Sequence, residues 1–169
     1  MLDGELVIVK SEEGKGSKFK LSISVPMSGP SQNKLELHQK EQTLPLHGHI
    51  LLVEDYEANR MFVGIIMDNA GITYDTANNG IEAIEKFKNG VYDLILMDEN
   101  MPELGGTGAT KAIRGIEEET GQIRTPIIAL TANALKGDRE YFLQADMDDY
   151  ISKPVEPKNL LRVIGNFLT

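Results

Sequence analysis

The sequence predicts an α/β domain in which a parallel β-sheet is covered by helices on both faces. After residue 48, five short apolar runs alternate with five amphipathic stretches. Strands that alternate with helices are joined by right-handed crossovers, which place the strands parallel in one sheet. Two of the runs, Ile50–Val53 and Leu94–Met97, are apolar at every position. Continuous apolar runs are typical of strands buried on both faces, so they support a doubly wound arrangement.

The individual elements follow from where each apolar run or amphipathic stretch begins and ends. The predicted strands are His49–Glu54, Ile72–Ala77, Asp93–Met97, Ile127–Leu130 and Asp149–Ser152. The predicted helices are Glu57–Asn69, Gly80–Asn89, Gly106–Glu118, Asn133–Gln144 and Pro157–Leu168. The last helix is the clearest, because its apolar residues recur at helical spacing and Pro157 occupies a first-turn position.

The residues before the sheet divide into a predicted hairpin and a linker. Two short strands, Glu5–Lys10 and Lys18–Val25, flank the turn-rich segment Ser11–Ser17. From Pro26 to His47 the composition changes to Ser, Pro, Gln, Asn, Lys and Glu, which is typical of a linker. We therefore predict a hairpin over residues 1–26, a linker over residues 27–47 and one domain over residues 48–169.

Charge is unevenly distributed along the chain. The formal net charge is −9; residues 1–47 carry six Lys or Arg and six Asp or Glu, whereas residues 48–169 carry eleven and twenty. The acidic domain repels a phosphate backbone and attracts divalent cations, so we expect no contact with nucleic acid. The chain contains no cysteine, which excludes disulfides and thiol chemistry. No apolar stretch approaches the roughly 20 residues that span a bilayer, and we expect a soluble chain without membrane contact.

Polar side chains follow four of the predicted strands, where the carboxyl ends of parallel strands form a functional crevice. They are Glu54 and Asp55 after the first strand, Asp98 after the third, Thr131 after the fourth, and Lys153 with Pro154 after the fifth. Converging carboxylates repel one another unless a hard divalent cation holds them. Magnesium suits such a site because it accepts one or two carboxylates together with waters and a phosphate oxygen, and manganese is the alternative.

A carboxylate at a strand end can also act as a nucleophile toward phosphorus and form an acyl phosphate. Asp98 is the best placed of the acidic residues for this reaction. The ammonium group of Lys153 and the hydroxyl of Thr131 have the chemistry needed to stabilise the transferred group.

Four segments carry a resemblance to the receiver domains of two-component signalling. They are Glu54–Asp55, Leu96–Pro102, Leu130–Ala132 and Tyr150–Pro154, each after a predicted strand. The resemblance covers residues 49–168. It implies a flavodoxin-like fold with sheet order 2-1-3-4-5, and a phosphoacceptor function in which a phosphohistidine supplies the phosphoryl group.

The resemblance also implies a role for each site residue. Asp98 is the residue phosphorylated. Magnesium or manganese is bound by Asp55, Asp98 and the backbone carbonyl of Asn100, with Glu54 acting through water. Lys153 contacts the phosphoryl group.

A second group of residues is implied to form the switch and to set the lifetime of the acyl phosphate. Thr131 moves toward the phosphoryl group, and the aromatic ring of Tyr150 turns inward. The Lys153–Pro154 bond matches a cis peptide of the family, which is plausible for a bond that precedes proline. Asn100 and Asn133 flank the reaction site and influence the lifetime.

Three positions depart from the common pattern of the family. Glu54 stands where many members carry aspartate, which preserves the charge but lengthens the side chain. Gly105 stands where an aspartate often follows the Met-Pro turn. Asp146 replaces a frequent glycine, so an adapted turn is expected before the fifth strand.

The N-terminal hairpin resembles the last two strands of the ATP-binding domain of sensor histidine kinases. This implies that the chain is the carboxyl-terminal piece of a hybrid histidine kinase, with a histidine kinase core and a histidine phosphotransfer domain as partners. The fragment is then cytoplasmic, whereas the parent kinase could be anchored in a membrane. We expect the fragment to lack kinase activity but to catalyse its own aspartyl phosphorylation and dephosphorylation.

Two other functions use the same residues. An aspartate-nucleophile phosphatase also needs a strand-end aspartate, a threonine, a lysine and magnesium, but it usually carries a second aspartate where Asn100 stands here. A receiver-like scaffold would bind a partner without phosphorylation. The presence of Asp55, Asp98, Thr131 and Lys153 together argues against the scaffold.

Overall fold

The computed structural model describes residues 3–12, 16–24, 46–132 and 138–168. The chain divides into two units, Met1–Gln42 and Thr43–Thr169. In the first unit, β1 (Asp3–Glu12) and β2 (Gly16–Ser24) pair antiparallel, with an irregularity between Ile8 and Lys10. The predicted hairpin therefore forms. Most of the predicted linker lies outside the described residues.

The second unit is built on a five-stranded sheet in which each pair of neighbouring strands is parallel. Its strands are β3 (His49–Val53), β4 (Thr73–Ala77), β5 (Leu94–Asp98), β6 (Ile127–Thr131) and β7 (Asp149–Ser152). The strand order is β4-β3-β5-β6-β7, which is the predicted order 2-1-3-4-5 when the sheet strands are counted from one. The strands β5 and β6 are buried at every position.

Helices cover both faces of the sheet, as the alternating pattern predicts. They are α1 (Glu57–Ala70), α2 (Gly80–Asn89), α3 (Gly106–Thr120), α4 (Asp138–Gln144) and α5 (Pro157–Ile164). Successive side chains of a strand point to opposite faces. Ile50 and Leu52 accordingly belong to the core formed with α1 and α5, whereas Leu51 and Val53 belong to the core formed with α2 and α3.

Several predicted boundaries differ from the observed ones by one or more residues, and one lies outside the described residues. Helix α5 ends at Ile164, four residues before the predicted end, and Gly165 follows it. The chain then turns, but Leu168 still packs into the core, which explains why its spacing looked helical. Strand β6 includes one more residue than predicted, Thr131, whereas β5 has the predicted length but is shifted by one residue, from Asp93–Met97 to Leu94–Asp98. The start of the predicted helix Asn133–Gln144 lies outside the described residues before Asp138.

The turn before β7 has the adapted backbone that Asp146 was expected to need. Its φ angle is 63°, in the left-handed region where glycine is usual and where aspartate is tolerated better than most residues. Two arginines hold the Asp146 carbonyl: Arg114 donates from Nε at 3.1 Å and from Nη2 at 3.0 Å, and Arg124 donates from Nη2 at 2.7 Å. The arginines therefore stabilise this strained turn.

Arg114 also links α3 to the beginnings of β6 and β7. Arg114 is 6% exposed. It donates to the Glu117 carboxylate, the Asp148 carboxylate and the Thr125 carbonyl, each at 2.8 Å. A buried cation of this kind is stable only because all its partners are present.

We predict that Arg114→Met lowers the free energy of unfolding by about 3–5 kcal/mol, because it leaves the buried Glu117 carboxylate without its cation. Urea denaturation of the two proteins measures the difference. The matched control is Lys111→Met on the exposed face of the same helix, which should change stability by no more than about 0.5 kcal/mol. Equal effects of the two substitutions would contradict the structural role of Arg114.

Candidate functional site

The sheet order brings four strand ends together at one edge. Strands β3, β5, β6 and β7 are consecutive neighbours in the sheet. Asp98 is the last residue of β5 and pairs in register with Leu130, and Thr131 is the last residue of β6 and pairs with Ser152. The residues that the sequence predicts at these ends therefore lie side by side.

Lys153 joins two of the acidic residues. Its Nζ lies 2.7 Å from Asp98 Oδ2 and 2.7 Å from Glu54 Oε2. Glu54 is 1% exposed and Asp98 is 3% exposed, so the ammonium group offsets two carboxylates that have lost most contact with water. The Lys153–Pro154 peptide is cis, as predicted, and the Lys153 amide donates to the Thr131 carbonyl at 2.7 Å.

The carboxylates of Glu54, Asp55 and Asp98 form a cluster that fits a divalent cation. One oxygen from each lies within 4.8 Å of the others, and Asp55 is exposed whereas the other two are buried. Carboxylate oxygens are the donors that magnesium and manganese prefer. The exposed Asp55 leaves the cluster open to solvent, which a cation that keeps several waters requires.

The pKa values of Asp98 and Lys153 are shifted by burial in one direction and by their close hydrogen-bond partners in the other. Burial raises the pKa of Asp98, and the Glu54 charge raises it further; hydrogen bonds from Lys153 and from the Asn100 amide at 3.2 Å oppose the rise without cancelling it. Burial lowers the pKa of Lys153, but its hydrogen bonds to Asp98 and Glu54 outweigh burial, so its pKa is raised overall. Lys153 therefore stays charged, and Asp98 ionises less readily than an exposed aspartate.

Two residues at the start of α1, Asn59 and Arg60, also contact the acidic loop formed by Glu54 and Asp55. Sequence reasoning missed both. Asn59 Nδ2 donates to Glu54 Oε1 at 3.1 Å, and the Tyr56 amide donates to the same oxygen at 3.3 Å. Arg60 Nη1 donates to the carbonyls of Glu54 at 2.7 Å and Asp55 at 3.3 Å. The available signal was weak: two adjacent polar residues, one turn into a helix that follows an acidic pair.

Glu99, next to Asp98, was also not predicted to take part. Its carboxylate accepts hydrogen bonds from the Thr107 amide at 3.1 Å, the Thr107 hydroxyl at 3.3 Å and the Tyr141 hydroxyl at 3.1 Å. These contacts tie the loop after β5 to α3 and α4. No local sequence pattern indicates them, because the partners lie up to 42 positions apart.

The remaining predicted residues lie around this centre. Thr131 is buried at the end of β6. The ring of Tyr150 is partly buried and stacks on Phe142 of α4, with ring centroids 6.2 Å apart. Asn100 is exposed, and Asn133 lies outside the described residues. The described residues thus bring together Glu54, Asp55, Asp98 and Lys153, with Thr131 joined to Lys153 through the backbone.

A doubly wound sheet with a carboxylate cluster and a lysine at its carboxyl edge defines a class of phosphoryl-handling α/β domain. Residues 50–165 match the model of the response regulator receiver domain. This match covers more than half of the chain, and the chain belongs to the receiver domain family.

Curated relatives include sensor proteins. The chain is 36% identical to the aerobic respiration control sensor protein ArcB of Escherichia coli K12 over 162 residues. It is 37% identical to the autoinducer 2 sensor kinase/phosphatase LuxQ of Vibrio vulnificus over 161 residues. Both matches cover 95% of this chain but only 20% and 18% of the two relatives. The chain therefore spans about a fifth of their length.

Solved receiver domains have the same fold. The receiver domain of sensor histidine kinase PA1611 from Pseudomonas aeruginosa PAO1, with a magnesium ion in its active-site cleft, is 41% identical with a TM-score of 0.64, and the match covers 72% of this chain and 97% of that one. A second match is the co-crystal structure of the Saccharomyces cerevisiae histidine phosphotransfer protein Ypd1 and the receiver domain of Ssk1. The identity is 32% and the TM-score is 0.67, and the match covers 72% of this chain and 89% of that one.

We predict that Asp98→Asn stabilises the cation-free protein at neutral pH. The raised pKa means that ionised Asp98 is disfavoured in the folded state, so its ionisation lowers stability as the pH rises through that pKa. The stability gain of the variant should therefore disappear at acid pH, below the ordinary aspartate pKa, where wild-type Asp98 is protonated. Urea denaturation in EDTA across this pH range measures both effects.

Asp75→Asn is a control of opposite sign. Asp75 lies on β4 and accepts a hydrogen bond from the Tyr92 hydroxyl at 2.9 Å, which lowers its pKa. Its charged form therefore stabilises the folded state above its unfolded pKa, and that stability is lost as the pH falls through the lowered folded pKa. Asp75→Asn should reduce stability at neutral pH. A loss of stability in Asp98→Asn at neutral pH would contradict the electrostatic account of the site.

Proposed function

We propose that residues 48–169 form the phosphoryl-accepting receiver domain of a hybrid histidine kinase and that Asp98 accepts the phosphoryl group from a phosphohistidine. The observation that carries this proposal is the position of Lys153 Nζ, 2.7 Å from the buried Asp98 carboxylate beside two further carboxylates. The carboxyl edge of the sheet then carries a nucleophile, a fixed positive charge and a set of cation ligands. Phosphoryl transfer requires all three.

The proposed reaction moves one phosphoryl group. A carboxylate oxygen of Asp98 attacks phosphorus, so that an oxygen–phosphorus bond forms while the phosphorus–nitrogen bond to the donor imidazole breaks. The bond electrons leave with the imidazole, which departs as a neutral ring when its second nitrogen carries a proton. The products are an acyl phosphate on Asp98 and an unmodified histidine.

In this proposal the residues of the chain bind the cation, orient the phosphoryl group and neutralise the charge on its oxygens. Asp55, Asp98 and the Asn100 backbone carbonyl hold magnesium or manganese, with Glu54 acting through water. When bound, the cation supplies positive charge to the oxygens of the transferred group. Lys153 keeps its charge and turns part of its hydrogen bonding from the carboxylates to the phosphoryl oxygens.

Thr131 and Tyr150 are proposed to report the modification. The Thr131 hydroxyl donates to the phosphoryl group, and the Tyr150 ring changes its packing against α4. Such a local change of charge can bias a surface with two arrangements. Asn100 and Asn133 are proposed to influence how long the acyl phosphate persists.

The partner is proposed to be a histidine phosphotransfer domain or a histidine kinase core that docks on α1. Four apolar residues on or just before this helix are between 46% and 64% exposed: Tyr56, which precedes α1, and Met61, Phe62 and Ile65 on it. Helix α1 begins two residues after Asp55, so this apolar surface adjoins the site. Exposed apolar side chains that cluster on one helix are typical of a protein-binding surface.

The rest of the chain is assigned in the same proposal. Residues 1–26 are the last strands of a kinase ATP-binding domain and residues 27–47 are a linker to the receiver domain. In the ranges that the structure describes, no helix is long and apolar enough to span a membrane. We place the fragment in the cytoplasm and assign any membrane anchor to the parent kinase.

The first prediction of this function is covalent labelling at Asp98. Incubation with phosphoramidate and magnesium should add one phosphoryl group per chain, measured as intact mass, because the donor carries the same phosphorus–nitrogen bond as phosphohistidine. Asp98→Asn and addition of EDTA should each abolish the adduct. A chain that stays unlabelled while a known receiver domain is labelled would favour the scaffold. Rapid, sustained consumption of the donor would favour the phosphatase.

The second prediction concerns docking on α1. Ile65→Lys should slow phosphoryl transfer from a phosphorylated histidine phosphotransfer protein by about tenfold or more, because it places a charge in an apolar contact. Its labelling by phosphoramidate should stay at the wild-type rate. The control is Ile81→Lys, another exposed isoleucine, at the start of α2, which should leave both rates unchanged. Equal transfer rates in the two variants would place the docking surface elsewhere.

A further inference from the structure

The two oxygens of the Glu54 carboxylate have different partners. Oε2 accepts a hydrogen bond from Lys153 at 2.7 Å. Oε1 accepts hydrogen bonds from the Asn59 side-chain amide at 3.1 Å and from the Tyr56 backbone amide at 3.3 Å. Because an ionised carboxylate only accepts, the amide nitrogen of Asn59 must face it. Each oxygen is thereby fixed, and the carboxylate has one orientation.

This orientation matters because Glu54 lies within reach of the cation ligands. One of its oxygens lies within 4.8 Å of oxygens of Asp55 and Asp98. Glutamate is also one methylene longer than aspartate, so a free Glu54 carboxylate could turn toward a cation. Turning would take it away from Lys153, which then would lose one of the two partners that fix its ammonium group beside Asp98.

We propose that Asn59 is a positioning residue that keeps Glu54 as the partner of Lys153 and outside the direct ligand set of the cation. This inference rests on the proposed function and adds to it the residue that divides the three carboxylates between two roles. Asp55 and Asp98 bind the cation, and Glu54 accepts the hydrogen bond from Lys153. Outer partners of this kind commonly decide both the affinity and the activity of a cation site.

The backbone of the acidic loop is held independently of Asn59. Arg60 donates to the Glu54 and Asp55 carbonyls, and the Glu54 amide donates to the Ala77 carbonyl at 3.0 Å. Removal of the Asn59 amide should therefore loosen the Glu54 side chain, whose Oε1 then keeps only the longer hydrogen bond from the Tyr56 amide, without displacing the loop. Asn59 is itself exposed, and after an apolar replacement Glu54 Oε1 still accepts the hydrogen bond from the Tyr56 amide, so no buried group is left unpaired.

The test is Asn59→Leu, which keeps the size of the side chain and removes its hydrogen bond. Two quantities are measured: magnesium affinity by calorimetry without any phosphodonor, and the maximal rate of labelling by phosphoramidate at saturating magnesium. We expect the rate to fall by roughly tenfold. Magnesium should bind more tightly than in the wild type, because Glu54 gains access to the cation.

A second variant separates positioning from general damage. Adding Glu54→Asp to Asn59→Leu shortens the released carboxylate, so the extra gain in magnesium affinity should be lost. The matched control is Asn69→Leu, another exposed asparagine of α1, ten residues or about 15 Å further along the helix. It should leave both quantities unchanged.

The outcomes distinguish the inference from the function on which it rests. If Asn59→Leu weakens magnesium binding in step with the rate, or changes neither quantity, Asn59 does not position Glu54. If the wild type takes up no phosphoryl group, the proposed function fails, and the calorimetric comparison alone decides whether Asn59 restrains Glu54.

Discussion

The contact on which the site depends is the ammonium group of Lys153 between the carboxylates of Glu54 and Asp98. Both carboxylates are almost fully buried, and burial together with the neighbouring Glu54 charge raises the pKa of Asp98, so the pair needs a close positive charge. Lysine supplies that charge at 2.7 Å from each. The raised pKa of Asp98 shows that the compensation is incomplete, which leaves the cluster suited to a second, divalent cation.

The sheet makes this contact possible because its strand order places β3, β5, β6 and β7 side by side. The backbone around Asp98 is also tightly packed: a Cβ on Gly106, the first residue of α3, would lie 2.4 Å from the Asp98 carbonyl oxygen. Only glycine permits that approach. On α3, Arg114 holds the opposite ends of β6 and β7. Helix α3 therefore contributes both to the geometry of the site and to the packing of the sheet.

The sequence was sufficient for the strands, the helices and the residues at the strand ends, because these follow from local periodicity, whereas the strand order followed from the resemblance to receiver domains. The strands of the five-stranded sheet were correct to within one residue at each end, and Glu54, Asp98 and Lys153 lie together as predicted. Asn59, the Glu99–Tyr141 contact and the Arg114 network were missed. These contacts depend on which side chains meet across elements, and neither composition nor spacing specifies that.

Lys153 partly offsets the rise that burial causes in the pKa of Asp98, and the most direct measurement is the pKa of the Asp98 carboxyl group. Its carboxyl carbon can be followed by NMR during a pH titration of the cation-free wild type and of Lys153→Met. The account predicts a pKa above the ordinary aspartate value in the wild type and a higher one in the variant, because the lysine stabilises the charged form. An unchanged pKa in the variant would contradict it.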